Sequence, residues 1–340
     1  MKAYAAFSPQ RIEMVDLPLP QPGDYEVLVE NEGCVFCNTT DRMIIDDLFA
    51  TPDYPVVFGH ENFGRVIQLG SKVRNFRLGD RVICANAIVK GYDGTFHSVW
   101  GGFAQYGIAG DLKAYLEDGH TTQGENSYRH RYHMNLVIPK ELTLEQAALA
   151  FPLAETASSA MQVGDLTGRH VVVLGTGIAG YSLTFFCRAF GAASVTVLGR
   201  RESRLDVARQ LGAQGFTDVD QLCRHMDALG GADVVFEASG NHAVLEKGLP
   251  YLKEGGIFAT YAVPHQPYCF DLLRCPKQFR YQRVDPKQKE SIDLVCSMLL
   301  QNKIPTHLLL THTWEFEDLP RAFEQVRNGE VIKGLVKIHP

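Results

Sequence analysis

Three side chains in the first fifth of the sequence could together bind a divalent metal ion. Cys37 begins the segment CNTTD (37–41), and the pair His60-Glu61 follows twenty-three residues later. A thiolate, an imidazole and a carboxylate are ligands that Zn²⁺ accepts, and an open fourth position would make such a site catalytic. The spacing alone leaves a second interpretation open, because a single Cys or His is more often a core residue.

A glycine-rich segment, GTGIAG (175–180), directly follows the apolar run VVVL and precedes a helical pattern. In this context the GxGxxG pattern indicates dinucleotide binding. The first glycine allows a tight turn, the second lets the backbone approach a pyrophosphate, and the third lets the helix pack closely on the strand. Free N–H groups at the helix start would bind the phosphates. The predicted cofactor-binding residues of this loop are Gly175, Thr176, Gly177, Ile178, Ala179 and Gly180.

The end of the next strand predicts which dinucleotide is bound. About 20 residues after the loop, NAD-binding chains place an acidic residue on the ribose 2′-hydroxyl, whereas this chain has Gly199, Arg200 and Arg201. A small residue leaves room for a 2′-phosphate, which guanidinium groups bind well. The pattern predicts NADP(H), with a solvated helix start as the alternative role of the arginines. Ser239, in the third strand-like segment (232–240), is a further cofactor-binding candidate.

The elements that must position these residues change along the chain. The first third has short segments rich in Val and Ile, which predict antiparallel strands of a sandwich or barrel. A helical pattern occupies 142–161, where Pro152 is expected to break or start a helix. Between 170 and 263, strand-like and helical segments alternate, which indicates a parallel sheet with crossover helices. Further helices are predicted near 288–302 and 317–328.

Composition and charge argue against several functional classes. The chain has 340 residues, of which 45% are hydrophobic and 21% charged, with a net charge of −6. This is ordinary globular usage and suggests two domains. A net-acidic chain without a basic block is a poor candidate for nucleic-acid binding. No apolar run approaches the ~18 residues that cross a bilayer, and no secretory signal is visible. Since the eight cysteines are scattered, we expect a cytoplasmic setting without nucleic-acid or membrane partners.

A longer segment, GHENFGRVIQLGSKVRNFRLGDRV (59–82), resembles the signature of the zinc-containing medium-chain dehydrogenase/reductase family. The segment GGFAQY (101–106), the glycine-rich loop and the closing KGLVKI (333–338) extend this resemblance over nearly the whole chain. Membership of that family would make the chain an oxidoreductase that transfers hydride between a nicotinamide cofactor and a small-molecule alcohol or carbonyl substrate.

The resemblance also implies an α/β architecture with two domains. A GroES-like, β-rich catalytic domain would comprise residues 1–142 and 305–340. A Rossmann domain with a doubly wound parallel sheet would comprise residues 143–304 and bind NADP(H). Active sites of the family lie in the cleft between the domains. GIFATYAV (256–263) resembles the edge strand through which members pair, so we expect a homo-oligomer, either a dimer or a tetramer.

The family pattern assigns roles to residues of the first domain. Cys37 and His60 match catalytic zinc ligands, and Glu61 matches a carboxylate that ligates in polyol-type members. Thr39 matches the hydroxyl that hydrogen-bonds the reacting alcohol and relays its proton. The resemblance therefore implies one catalytic Zn²⁺, which would polarise a carbonyl or acidify an alcohol during hydride transfer.

The chain departs from the family pattern around these residues. Thr40 replaces an acidic residue near the metal, a change that can weaken metal binding by roughly 10–100-fold. Arg42 replaces a relay histidine and is predicted to be a catalytic residue. Phe151 replaces the glutamate ligand of the polyol-type E-P-L sequence. Glu155, one helical turn onward, is the candidate that would ligate in its place, with a capping or salt-bridge role as the alternative.

These departures keep two other functions open. A metal-free reductase of the same superfamily, acting on enones or quinones, would not need the missing ligand. A dinucleotide-binding protein without turnover is a third interpretation. The chain has no cysteine between Cys84 and Cys187, which predicts that the family's structural zinc site is absent. The polar and aromatic stretch 86–133, including Tyr92 and Trp100, is predicted to shape or cover the substrate pocket.

Overall fold

The computed structural model describes residues 1–46, 54–87, 96–121, 128–241, 248–263 and 277–339. The chain divides into two compact units. The first comprises Met1–Phe151 and Ile292–Pro340, and the second comprises Pro152–Ser291. These limits differ from those of the predicted domains, which change after residues 142 and 304. The predicted domain boundaries stay predictions.

The first unit is built on two β-sheets. Its strands are β1 (Lys2–Ser8), β2 (Arg11–Asp16), β3 (Glu26–Val35), β4 (Val56–Val57), β5 (Glu61–Leu69), β6 (Arg81–Ile83), β7 (His97–Ser98), β8 (Tyr106–Gly110), β9 (Val137–Ile138), β16 (Leu310–Glu315) and β17 (Lys333–Lys337). One sheet has the order β2-β1-β4-β7, and the other has the order β16-β17-β3-β5-β6-β9 with β8 paired to β3. Apart from the parallel pairs β4–β7 and β16–β17, the pairings are antiparallel. The predicted β-rich first domain is thus confirmed.

The second unit contains a six-stranded sheet in which every neighbouring pair is parallel. Its strands are β10 (His170–Leu174), β11 (Ser194–Leu198), β12 (Gln214–Phe216), β13 (Ala232–Glu237), β14 (Leu252–Thr260) and β15 (Phe279–Arg283). The order β12-β11-β10-β13-β14-β15 is the 3-2-1-4-5-6 order of a doubly wound dinucleotide-binding fold. The predicted Rossmann architecture is confirmed.

Helices connect the strands of both units. In chain order they are α1 (Thr40–Ile45), α2 (Leu112–Glu117), α3 (Tyr128–Tyr132), α4 (Leu144–Gln162), α5 (Ile178–Ala189), α6 (Glu202–Gln210), α7 (Val219–Ala228), α8 (Gln288–Leu300), α9 (Thr306–Leu309) and α10 (Leu319–Arg327), with 3₁₀ turns at Leu249–Tyr251 and Phe316–Asp318. None of the helices in the described ranges has the length and apolar character needed to span a bilayer.

The expectation that Pro152 breaks or starts a helix is wrong, because α4 continues through it. A proline inside a helix removes one backbone hydrogen bond. The residues around it, Leu149, Phe151 and Leu153, are almost completely buried. Burial of this apolar stretch offsets the lost hydrogen bond, since most helical stability in proteins comes from packing.

The expected edge strand at 256–263 is also placed differently. Strand β14, which contains most of that segment, is hydrogen-bonded to β13 on one side and to β15 on the other. Beyond β14, strand β15 is the outer described strand at that end of the sheet, and β12 is the outer strand at the other end. The β15 sequence FRYQR is polar and largely exposed, and for that reason the sequence did not reveal it as a strand.

The described part of 112–132 packs against the beginning of β3. The Tyr132 hydroxyl donates to Glu26 Oε1 at 2.6 Å, and the Tyr128 hydroxyl donates to the Tyr25 carbonyl at 2.7 Å. Cys37 follows the opposite end of this strand, and ten extended residues span about 30 Å. These contacts do not favour a substrate-covering role for that part of the stretch 86–133.

Candidate functional site

Cys37 lies in the short connection between β3 and α1. Its backbone N–H donates to Asp41 Oδ2 at 2.9 Å, and its Sγ accepts the Thr40 N–H at 3.4 Å. Strand β3 pairs with β5 so that Val35 lies opposite Glu61. The antiparallel pairing therefore brings the end of β3 and the beginning of β5 to the same place, although they are far apart in sequence.

The structure brings Cys37, His60 and Glu61 together. One possible ligand atom from each lies within 4.8 Å of the other two. Among the described residues this group of three could hold a metal ion, and its combination of sulfur, imidazole nitrogen and carboxylate oxygen fits Zn²⁺. The residues present thus fit the metal that the sequence suggested.

The carboxylate of Asp41 lies beside the imidazole of His60. The Asp41 side chain is 1% exposed, and its Oδ1 lies 3.3 Å from His60 Nδ1. A carboxylate on one ring nitrogen is the usual support for a metal-binding histidine, because it directs the other nitrogen to the metal. That other nitrogen, Nε2, lies 3.9 Å from Glu61 Oε1. Thr40 in place of an acidic residue predicts the loss of this support, but Asp41 supplies a carboxylate one position later.

The surroundings of His60 favour its protonated form when no metal is bound. Burial opposes the charge, but hydrogen bonding to Asp41 and Cys37 and their negative charges outweigh it, so the pKa of His60 is raised well above its usual value. A metal ion binds the neutral imidazole and must displace this proton. Zinc binding to the group should therefore strengthen as the pH rises.

Glu61 forms a buried ion pair that the sequence analysis missed. Lys333 Nζ lies 2.7 Å from Oε1 and 2.6 Å from Oε2 of Glu61, and both side chains are 2% exposed. Burial opposes the charge of Lys333, yet the Glu61 charge outweighs this effect and raises the lysine pKa above its usual value. Glu61 is thus shared between an ammonium group and the candidate metal site.

The other residues predicted for the catalytic site lie in different surroundings. Thr39 is exposed and makes no capping hydrogen bond to α1. The Arg42 side chain is half-exposed, and its Nε pairs with Asp46 at 3.2 Å. The structure does not bring Arg42 together with the metal-binding group.

Glu155 lies in the second unit, where it has its own hydrogen-bond partners. Its Oε1 accepts from the Gln288 amide at 2.8 Å, and its Oε2 accepts from the Tyr261 hydroxyl at 3.3 Å. These contacts favour the alternative role of a structural carboxylate, and metal ligation by Glu155 stays a prediction. Phe151 is buried in the first unit at 3% exposure.

The structure gives a different reason for glycine at each of the three glycine positions of the predicted nucleotide loop. Gly175 has a φ of +126°, a backbone conformation that side chains disfavour. Gly177 precedes α5, and a Cβ there would meet no atom within 4 Å, so this face is open to a ligand. A Cβ at Gly180 would lie 2.2 Å from the Gly175 carbonyl oxygen. The backbone of Ile178 and Ala179 opens the helix in between.

The first position after β11, Gly199, is crowded by the side chains of Thr176 and Leu205. A Cβ at Gly199 would lie 2.5 Å from Thr176 Cγ2 and 3.0 Å from Leu205 Cδ2. Arg200 is exposed and has no hydrogen bond or ion pair with any described residue. Arg201, also exposed, precedes the first turn of α6.

Ser239 is held beside this loop by Glu237, which the sequence analysis did not single out. The Glu237 carboxylate is fully buried at the end of β13 and accepts hydrogen bonds from the Ser239 hydroxyl and from the N–H groups of Ser239 and Gly240. A Cβ at Gly175 would lie 3.3 Å from that of Ser239. The structure therefore brings Ser239 together with the glycine loop.

Two family models match segments of the chain, one in each unit. Residues 23–115 match the family described as alcohol dehydrogenase GroES-like domain, and residues 179–283 match the family described as zinc-binding dehydrogenase. L-threonine 3-dehydrogenase of Pectobacterium carotovorum is 26% identical over 97% of each chain. An Aspergillus niger protein described as a D-xylulose reductase is 26% identical over 96% of this chain and 93% of its own length.

A solved structure has the same fold. It is that of a Sinorhizobium meliloti protein described as a zinc-binding dehydrogenase bound to NADP. Its TM-score is 0.78 at 22% identity, with 99% of both chains covered. At this identity the likeness concerns the fold alone.

Removing the negative charge of Asp41, which lies beside His60, should weaken metal binding. We expect Asp41→Asn to lower zinc affinity by about 10–100-fold, because the amide supports the imidazole less strongly than a carboxylate does. Competition with a chromophoric chelator measures the affinity. Asp46→Asn, which changes the partner of Arg42 in the same segment, is the matched control and should leave it unchanged. Equal losses in the two variants would contradict the assigned role of Asp41.

The ion pair of Glu61 and Lys333 should be important for stability. We expect Lys333→Met to lower the free energy of unfolding by about 3–5 kcal/mol, because it leaves a buried carboxylate without its partner. Denaturant unfolding of metal-free protein measures the change. Adding Glu61→Gln should recover most of the loss, since no buried charge then remains unpaired. A double variant as unstable as Lys333→Met would rule out this explanation.

Proposed function

The chain belongs to the zinc-containing medium-chain dehydrogenase/reductase family and is an oxidoreductase, and we propose that it transfers hydride between NADP(H) and an alcohol or polyol, or the corresponding carbonyl compound, with one catalytic zinc ion. The observation that carries this proposal is the cluster of Cys37, His60 and Glu61, with the Asp41 carboxylate on the far nitrogen of the histidine.

The residues of the first unit have complementary roles in the proposed reaction. Cys37 and His60 would hold the zinc, and Glu61 lies next to them. When bound, Zn²⁺ polarises a carbonyl or lowers the pKa of an alcohol. Asp41 keeps His60 oriented through Nδ1. The exposed Thr39 hydroxyl is available to exchange a proton with the substrate hydroxyl.

NADP(H) is supported by residues of the second unit. Gly199 stands where an acidic residue would bind the ribose of NAD, and a Cβ there would lie 2.5 Å from Thr176 Cγ2. The guanidinium group of Arg200 pairs with none of the described residues. A protein of the same fold has been solved with NADP. The relatives named for L-threonine and D-xylulose support an alcohol or carbonyl compound as the substrate.

A metal-free reductase acting on enones or quinones is the second candidate. It is favoured by Phe151, which cannot bind a metal, and by the ion pair that occupies Glu61. Three properties stay predictions: absence of a structural zinc, a dimer or tetramer, and a cytoplasmic setting. If copies pair through the parallel sheet, the outer described strand β15 is the candidate surface.

Metal analysis combined with an activity assay tests the proposal. We expect purified protein to hold roughly one zinc ion per chain and to form NADPH from NADP⁺ with members of an alcohol and polyol panel. Chelation should abolish this activity, and zinc should restore it. Enone or quinone reduction that survives complete removal of metal would favour the second candidate. Dinucleotide binding without turnover of any substrate would favour a non-enzymatic role.

Cofactor choice is tested at the arginine after β11. We expect Arg200→Ala to raise the dissociation constant of NADP by about tenfold or more, because a charge-assisted hydrogen bond to phosphate is lost. The dissociation constant of NAD should not change. Arg209→Ala is a suitable control, because Arg209 pairs with Glu202 and Asp206 instead. An unchanged affinity of Arg200→Ala for NADP would refute the phosphate contact.

A further inference from the structure

The tryptophan beside the candidate metal site has an unusual backbone conformation. Trp100 has a φ of +64°, and the Gly101 N–H donates to the Val99 carbonyl at 2.9 Å across it. This is a three-residue γ-turn with a positive φ at its centre, a rare and strained arrangement. For a bulky residue such a φ is an outlier, and outliers of this kind concentrate at functional sites.

The neighbouring backbone holds this strained turn in place. The N–H groups of Val99, Gly102 and Phe103 donate to the carbonyls of Val57, Gly59 and Phe58 at 2.9, 2.6 and 3.0 Å, respectively. The segment that carries Trp100 is therefore attached to the segment that leads into His60. Gly101 has a φ of +73°, and a Cβ there would lie 2.9 Å from that of Ala87. The surrounding structure thus fixes the backbone on both sides of Trp100.

The indole ring lies against the metal-site histidine. The ring centroids of Trp100 and His60 are 4.9 Å apart, with an angle of 47° between the planes. Trp100 is only partly buried, so some of its surface remains accessible. Its indole N–H makes no hydrogen bond to any described residue. A substrate bound next to His60 would therefore be within reach of a flat apolar surface.

We propose that Trp100 is a specificity-determining residue, forming the wall against which the ring of an aromatic alcohol or aldehyde packs. This inference rests on the proposed function, because it assumes that the substrate binds beside His60. Aromatic rings gain more from contact with one another than their buried area alone provides. The strain is then explained, since a relaxed backbone would direct the indole elsewhere.

Substitutions at Trp100 should separate aromatic from small substrates. We expect Trp100→Ala to lower kcat/KM for benzyl alcohol about tenfold or more, mainly through KM, because lost packing mostly weakens substrate binding. The value for 2-propanol should stay within about threefold. Trp100→Phe retains an aromatic face and should keep most of the benzyl alcohol activity. Trp100→Gly accepts the positive φ without strain and should show the same selective loss, which guards against misfolding of the alanine variant.

A structural role for Trp100 would give a different result. If the indole only supported His60, Trp100→Ala would lose zinc and its activity on both alcohols would fall equally. That outcome would overturn the proposal. We expect the zinc content to match that of the wild-type protein.

A binding measurement distinguishes failure of this inference from failure of the proposed function. The chain has two tryptophans, so the emission of wild-type protein minus that of Trp100→Phe reports on Trp100. Titrating zinc-loaded protein with benzyl alcohol should change this difference signal saturably, whereas 2-propanol should not. If no alcohol is turned over but the saturable change persists, the proposed function fails and the aromatic site stands. If alcohols are turned over but the difference signal does not respond, the proposal for Trp100 is refuted.

Discussion

The candidate site of the first unit depends on the buried ion pair between Glu61 and Lys333, which are 272 positions apart in the sequence. Two charges out of water are stable only as a well-matched pair. Their pairing requires β17 to lie beside β3, with Val336 opposite Cys34. The strand that leads to Cys37 therefore lies between one that carries Glu61 and one that carries Lys333. The position of the thiol and the neutralisation of the carboxylate follow from the same pairing.

The acidic residue that supports the histidine of the candidate metal site can stand one sequence position away from its usual place without loss of this support. The chain lacks an acidic residue where the family has one, and Thr40 stands there instead. Yet Asp41 contacts both the His60 ring and the Cys37 backbone. Thr40 and Asp41 are three and four positions after Cys37, and residues with these spacings lie on the same face of a helical turn. The beginning of α1 can therefore direct a carboxylate to the histidine from either position.

The parts of the fold that local sequence determines could be predicted. The glycine loop and the alternating strands and helices of the second unit were visible because their residue requirements are local. Lys333 as the partner of Glu61 was not visible, since only long-range strand pairing brings the two together. Strand β15 was missed because FRYQR lacks an apolar alternation. The effect of Pro152 on α4 was predicted wrongly, because burial of the neighbouring side chains, a tertiary effect, keeps the helix continuous.

The discontinuity of the first unit has a consequence for biosynthesis. The second unit is one continuous stretch, 152–291, whereas the first needs residues on both sides of it. Chains emerge from the ribosome amino end first, and domains tend to fold as units. The parallel sheet can therefore form before Lys333, the partner of Glu61, has been translated. The candidate metal site is completed late, so a nascent chain can acquire its nucleotide-binding fold before the candidate metal ligands reach their final geometry.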